Sequence, residues 1–398
     1  MSSETIGARI KELRGKIMTQ RELAETAGVS VDLIRKLEQE QRHTASVPAL
    51  QKIANALDVD LAMLLGKPNS LPSPAAEGGV LAIRRALTTV DDLLPDAAWN
   101  DDPLDLREAQ RAVDYAWGCY WSGRYELLGR LLPTTLPQLR ATLRAVPVSE
   151  RPRAAEALAQ AYQVAGDTLV HLGHAADAWL AIRNALAAAN QGDDELLSAT
   201  LRMSLAWQLL VQGRYHESEQ IAVAAAEDVE PTGDVPAQRI SAYGLLTVTA
   251  ATAAARAQRA EATHDLLTEA DESATRLGVE RNDHKTTFGP AKMAMLRVDC
   301  AVVQEEYAQA LDGARKLPRD ADLPLATRAR HLADVAYSQM QTGQNDAAVT
   351  TLLTMEQLAP DWIKYQTLPR QTTAELVERQ RRINQPLHGL ARRLGVTG

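Results

Sequence analysis

At 398 residues, 45% hydrophobic but only 4% aromatic with a single Phe, the chain exceeds one ordinary core and points to two or three all-α domains packed through small residues. No apolar run approaches the ~20 residues that cross a bilayer, and Cys119 and Cys300 are spaced for neither a disulfide framework nor a metal site, which points to a soluble protein of a reducing, cytoplasmic compartment with no membrane partner. The net charge of −8 argues against a nucleic-acid binder until it is divided: residues 1–67 hold 10 Lys and Arg against 9 Asp and Glu, and the rest of the chain holds 33 against 42.

In chain order, residues 5–16 predict a first helix, and residues 19–38 predict two short helices around a glycine turn. Thr19 caps the first of the pair, Leu23 and Ala24 form its buried side, Gly28 takes the bend and Ser30 caps the second. Ile34 and Leu37 face the core, which leaves Val31, Asp32, Arg35 and Lys36 on a surface that could reach phosphates and base edges in a major groove. A fourth helix is expected from Val47 to Leu57 after a Ser46 cap, and a short fifth from Asp60 to Leu65. Arg9, Lys11, Arg14, Arg21 and Arg42 complete a local basic cluster on an otherwise near-neutral head.

Thr19-Gln20, Leu23-Ala24, Gly28-Val29-Ser30, Ile34, Leu37-Glu38, Pro48, Leu50, Ile53-Ala54, Ala56-Leu57 and Leu64-Leu65 resemble the Cro and phage-repressor (XRE) helix-turn-helix family over the whole head. The resemblance implies a five-helix lambda-repressor-like DNA-binding domain over residues 1–67. It implies Gln20 as a backbone-phosphate contact, with Arg21, Ser30, Arg35 and Arg42 as companions, and Val31, Asp32 and Lys36 as base readers. Val31 and Asp32 depart from the amides of the phage repressors; a valine suits a thymine methyl, an aspartate a cytosine amino group and a lysine a guanine.

Gly66–Gly79 holds three prolines, three glycines and two serines without helical periodicity, and is expected to be a linker, most narrowly over residues 68–79. From residue 80 to 398 amphipathic helices follow one another. Aligned on a turn, the chain shows Gly123-Arg-Tyr125, Gly173-His-Ala175, Gly213-Arg-Tyr215, Glu305-Glu-Tyr307 and Gly343-Gln-Asn345, with a degenerate copy near Gln258. Five residues after each anchor come Leu128, Ala178, Ser218, Ala310 and Ala348; seven before come Ala116, Gly166, Ala206, Val298 and Ala336. This resembles the tetratricopeptide repeat, an α-solenoid of helix pairs, although the anchors lie further apart than that family's period of ~34 residues.

In such arrays the first helix of each pair lines an inner groove. Carrying that geometry over places Trp117, Asp167, Trp207, Asp299 and Tyr337 six residues before the anchors, with Tyr120, Gln163, Met203, Arg330 and Met340 as neighbours. These suit a short, partly apolar ligand, against the plainer reading that the tryptophans are core between repeats and the aspartates solvated. The C-terminal segment predicts a helix from about Gln371, a break before Pro386 and a short basic helix serving as a polar cap.

No phosphate-cradling glycine loop, HExxH or GxSxG occurs, so neither cofactor nor catalysis is expected; His171 and His174 are expected on the surface, and Asp283-His284 in a polar loop. The two-part layout is similar to the peptide-sensing quorum regulators of Gram-positive bacteria and to actinobacterial XRE regulators with such repeats. That similarity implies a dimer on a palindromic operator in double-stranded DNA, responsive to a peptide or small signalling ligand. The alternatives are a body that docks another protein without a small ligand, and a scaffold whose head has lost DNA affinity.

Overall fold

The computed structural model describes residues 5–15, 18–42, 45, 47–57, 59, 64, 74–88, 102–285, 287–318, 321–379 and 384–396. Among them the secondary structure is helical, apart from one isolated bridge between Arg281 and Phe288. The helices in the head are α1 (Ile6–Arg14), α2 (Gln20–Ala27), α3 (Val31–Glu38) and α4 (Val47–Ala56). Then follow α5 (Pro74–Leu87), α6 (Leu106–Trp121), α7 (Tyr125–Ala145), α8 (Arg151–His171), α9 (Ala175–Ala189), α10 (Glu195–Val211), α11 (Tyr215–Asp228), α12 (Ala237–Arg256) and α13 (Ala260–Leu277). The last are α14 (Pro290–Val303), α15 (Tyr307–Arg315), α16 (Leu325–Gln341), α17 (Asn345–Leu358), α18 (Thr367–Arg379) and α19 (Gln385–Arg393). Two compact units result: one of residues 1–71, 332–357 and 363–398, the other of residues 72–331 and 358–362.

Local chemistry accounts for the head. Thr5 caps α1, and Thr19 and Glu22 form a reciprocal capping box on α2; each such cap stabilises its helix by about 1 kcal/mol. Gly28 ends α2 in the left-handed region at φ 61°, and Ser30 caps α3 through the Leu33 N–H. Ile10, Leu23, Ile34, Leu37, Leu50 and Ile53 are all fully buried in one apolar core, with Leu64 joining them. A Cβ on Gly7 would lie 1.7 Å from the Leu37 carbonyl oxygen, so α1 meets α3 backbone to backbone. Ser46 and the fifth helix expected over 60–65, apart from Leu64, lie outside the described residues.

The second unit is a run of helix pairs. The first helices of successive pairs, α6, α8, α10, α12 and α14, each pack on the next, and each also packs on the second helix of its own pair. The connecting turns repeat. Gly123, Gly173, Gly213, Gln258 and Glu305 here, and Gly343 in the first unit, all have positive φ, between 59° and 81°. In each case the following residue donates its N–H to the carbonyl five positions earlier, at 2.8–3.0 Å, closing the helix as a Schellman turn. Gln258 and Glu305 thus occupy the same turn conformation without glycine, which makes the degenerate copy a full member of the series. The small positions on either side of these turns are buried, and a Cβ on Gly166 would meet Ala181, Ile182 and the Ala178 carbonyl at 3.1–3.3 Å.

α5 begins at Pro74 and so takes up the last six residues of the stretch expected to be linker. The reason is tertiary: Gly79 meets Gly129 of α7 so closely that a Cβ on it would lie 2.9 Å from the Gly129 Cα. The paired glycines that read as loop in sequence are a helix crossing. In the first unit α19 packs on α18 through buried Leu387 and Leu390, with Arg379 bonded to the Met340 carbonyl and Arg393 bridging Glu356 at 2.6 Å. Both arginines are thus engaged within the C-terminal helices.

Candidate functional site

Two surfaces gather the residues singled out from the sequence. On α3, Ile34, Leu37 and Glu38 point inward, and the opposite side presents Val31, 43% exposed, with Asp32, Arg35 and Lys36. Asp32 bonds Arg35 at 2.5 Å and Lys36 at 2.7 Å, so two cations of this exposed face share one carboxylate within the helix. The Lys36 hydrogen bond first, and that of Arg35 after it, hold the Asp32 carboxyl below its ordinary range. Arg21 pairs with Glu25 at 2.9 Å on the exposed side of α2, and Arg42 is exposed just past α3.

Gln20, expected on a phosphate, donates its amide N–H to Glu38 at 2.8 Å. Glu38 also takes a two-pronged bond from Arg14 at 2.7 and 2.9 Å. Burial opposes the charge on Glu38, but Arg14 and Gln20 together outweigh it and keep the carboxyl below its ordinary range. Gln20 therefore starts α2 in a fixed rotamer, tied to the last turn of α3. The Ser30 hydroxyl is the acceptor of the α3 cap.

The inner helices of the second unit hold the other set. Gln163 and Asp167 lie one turn apart on α8, the first fully buried and the second 5% exposed. Gln163 donates to Ser204 of α10 at 3.0 Å, and Ser204 donates to Asp167 at 3.2 Å. Burial pushes the Asp167 carboxyl up to about 7, against the smaller pull of the Ser204 hydrogen bond. Further round, Asp299 of α14 accepts from Arg256 at 3.0 and 3.2 Å and from Arg330 at 2.6 Å. Burial works against the Asp299 charge, yet the two guanidinium groups hold its carboxyl well below the usual range. The aspartates, for which a solvated role stood open, are both buried and both bonded.

The aromatic residues divide. Trp117 is 2% and Tyr120 7% exposed, and Trp117 stacks toward Trp121 at 5.8 Å between ring centres. Trp207 stays partly open beside His171, 5.2 Å away. His171, expected on the surface, instead stacks on Tyr125 at 4.7 Å and lies 3.3 Å from the Tyr120 hydroxyl. Loss of water around the ring, with the Arg330 charge adding to it, pushes His171 down to about 3, so it is neutral at ordinary pH. Met203 packs into the apolar core beside Leu246 and Leu245. Tyr337 and Met340 are buried in the first unit.

Sequence reasoning overlooked Arg256, Ser204, Gln208 and the placement of His171. Gln160, Gln163, Asp167 and His171 follow the spacing of one helical face, a signal present in the sequence. Arg256 precedes a turn that lacks glycine, so no anchor pointed to it.

Residues 10–64 match the helix-turn-helix family HTH_3. Comparison with curated protein sequences finds no match. Among solved structures the chain is similar to a Rap protein crystallised with competence and sporulation factor, at 13% identity and TM-score 0.48, covering 92% of this chain and 100% of that one. It is also similar to Bacillus thuringiensis PlcR in complex with the peptide PapR7 and DNA, at 16% identity and TM-score 0.29, covering 69% of this chain and 96% of that one.

Proposed function

We propose that this chain is a transcriptional regulator that binds double-stranded DNA through its helix-turn-helix head and a peptide or small signalling ligand on the inner helices of residues 80–398. The DNA-binding half is supported by the match over residues 10–64 together with the exposed Val31, Asp32, Arg35 and Lys36 row on α3. The single observation that carries the ligand-binding half is a set of buried polar atoms on the inner helices with no partner: Gln163 Oε1, Asp167 Oδ1 and both amide atoms of Gln208. Folded interiors rarely leave such atoms unpaired, and these four lie on two helices that pack on each other.

The mechanism we infer has two copies of the chain placing α3 in successive major grooves of a palindromic operator, about 34 Å apart. Ligand on the inner face changes how the helix pairs stack and hence the fraction of protein whose heads match that spacing, by as much as its affinity differs between the two arrangements. The test is selection of bound fragments from random and genomic DNA by the full-length protein at two salt concentrations. A palindromic motif whose binding weakens steeply with salt is expected; absence of any enriched motif rejects the regulator reading in favour of a protein-docking body.

A further inference from the structure

The inner stripe has an excess of acceptors. In the Gln163, Ser204, Asp167 chain the Gln163 amide N–H donates to the Ser204 oxygen and the Ser204 hydroxyl donates to Asp167 Oδ2. That orientation leaves Gln163 Oε1 with no donor, and Asp167 Oδ1, one turn on, is unpartnered too. Gln160 Oε1, one turn earlier on the same face of α8, is unpartnered as well. Gln208 of α10, one turn beyond Ser204 and 1% exposed, has a free acceptor and a free donor.

Among the described residues no ion pair reaches Asp167. The titratable groups around it are Tyr120 of α6, Tyr125 of α7, which stands against Tyr120, and His171 on its own helix, whose neutral ring feels the Arg330 charge from α16. From α9 the turn beside Gly166 brings Ala178, Ala181 and Ile182, and from α10 Ser204 bonds Asp167 directly. The two inner arginines, Arg256 and Arg330, are bonded to Asp299. Three acceptor oxygens along one face of α8, one of them a carboxylate and none of them bonded to a cation, are complementary to a positive N–H donor.

Resting on the reading that the inner face takes a ligand, we propose that Gln160, Gln163 and Asp167 seat a primary ammonium group, the free amino terminus of a short linear peptide, with Asp167 as its counter-ion and Gln208 bonding the adjoining peptide unit. Trp207 and the neutral His171 ring then supply apolar contact beside the first residues. The site selects amine-terminated ligands over blocked ones, because an acetylated terminus brings neither the positive charge nor the three donors. It also makes binding proton-linked. Asp167 is ionised only above about 7 when the seat is empty, so protonation below that value competes with the ammonium group.

The experiment uses full-length protein and a library of linear hexapeptides with free amino termini, the same library N-acetylated, and spermidine as a non-peptide amine. Each is assayed at about pH 5.5 and about pH 7.5, where an α-amino group keeps much of its charge. The inference expects free peptides to bind at least about tenfold more tightly than acetylated ones at the higher pH, and about tenfold more weakly at the lower. Asp167→Asn should bring free and acetylated peptides to equal affinity; if that variant does not fold, Gln163→Leu should narrow the same ratio, and the pH comparison on unaltered protein stands by itself. Competition by spermidine would support the ammonium seat and identify a polyamine as a second occupant. Equal affinity for free and acetylated peptides, or a preference that survives Asp167→Asn, overturns the inference while leaving peptide sensing intact. Binding by none of the three, with DNA binding retained, overturns both.

Discussion

On the face of α3 proposed to read DNA, Asp32 already occupies Arg35 and Lys36 at 2.5 and 2.7 Å. A cation held by an intrahelical carboxylate is less available to phosphates, which suppresses binding that ignores sequence more than binding in which the carboxylate finds a base amino group. Asp32→Asn is therefore expected to raise affinity for unrelated DNA several-fold and to steepen the salt dependence by about one phosphate's worth, a slope change of ~0.9. Titrations of random duplex at a series of salt concentrations check this, and an unchanged slope would show that Arg35 and Lys36 do not approach phosphates. At Asp167 the consequence is in stability. Its carboxyl ordinarily titrates at 3.8 and in the folded chain at about 7, so the stability it contributes is present below 3.8 and is lost as pH rises toward 7. Asp167→Asn removes that loss and should stabilise the protein by roughly 2–4 kcal/mol more at high pH than in mild acid. Melting curves of both proteins across that range measure the difference directly; parallel curves would mean that Asp167 is better solvated than its burial indicates.

Among the elements, the turns between paired helices show which constraint is local. All six take positive φ, yet Gln258 and Glu305 carry side chains there, at φ 59° and 64°. The left-handed region disfavours a residue with a Cβ by roughly 1–2 kcal/mol, part of which glycine returns through greater freedom of the unfolded chain. Glu305→Gly is expected to stabilise the protein by about 0.5–1 kcal/mol, whereas Gly213→Ala should destabilise it by a similar or larger amount. Chemical denaturation of the two variants compares them; a destabilised Glu305→Gly would place a favourable role on the glutamate side chain. Gly7 and Gly79 depend on a different constraint, since each lets one helix backbone touch another, and nothing in their local sequence distinguishes them from loop glycines.

For the molecule as a whole, a loop ties distant parts of the second unit together. Between α13 and α14, His284 bonds Asp194 at 2.7 Å and Lys285 bonds Asp114 at 3.0 Å, reaching helices that precede it by 90 and 171 residues. The same loop holds His284, Lys285 and Thr287 at positive φ and is fastened at its base by paired Arg281 and Phe288 bonds of 2.9 Å. Phe288 is fully buried against Gly244. The strained segment persists because these contacts outweigh its backbone preference. Replacing both His284 and Lys285 with Ala should lower global stability by only about 1 kcal/mol, since such partly exposed pairs are weak. It should nevertheless speed hydrogen exchange at Arg281 and Phe288 well beyond the rest of the unit. Uniform exchange across the unit would show that the bridge and Phe288 hold the loop without the ion pairs.

Much of the architecture is legible in short stretches of sequence. The caps at Thr19 and Ser30, the bend at Gly28, the repeated turns and the small residues beside them act over a few residues, so the sequence by itself determined the head, the helix pairs and their close approach. The fate of the polar inner residues is not legible there. Gln163 meets Ser204 across 41 residues and Asp299 meets Arg256 across 43, and whether such groups are solvated, paired or left with idle acceptors depends on how successive helices are rotated against one another. That rotation is set by the whole packed array, because burial is a property of neighbours rather than of spacing. Only the tertiary structure therefore decided that His171 is enclosed by rings, that Pro74 begins a helix, and that the Asp167 carboxylate is buried without a cation bonded to it.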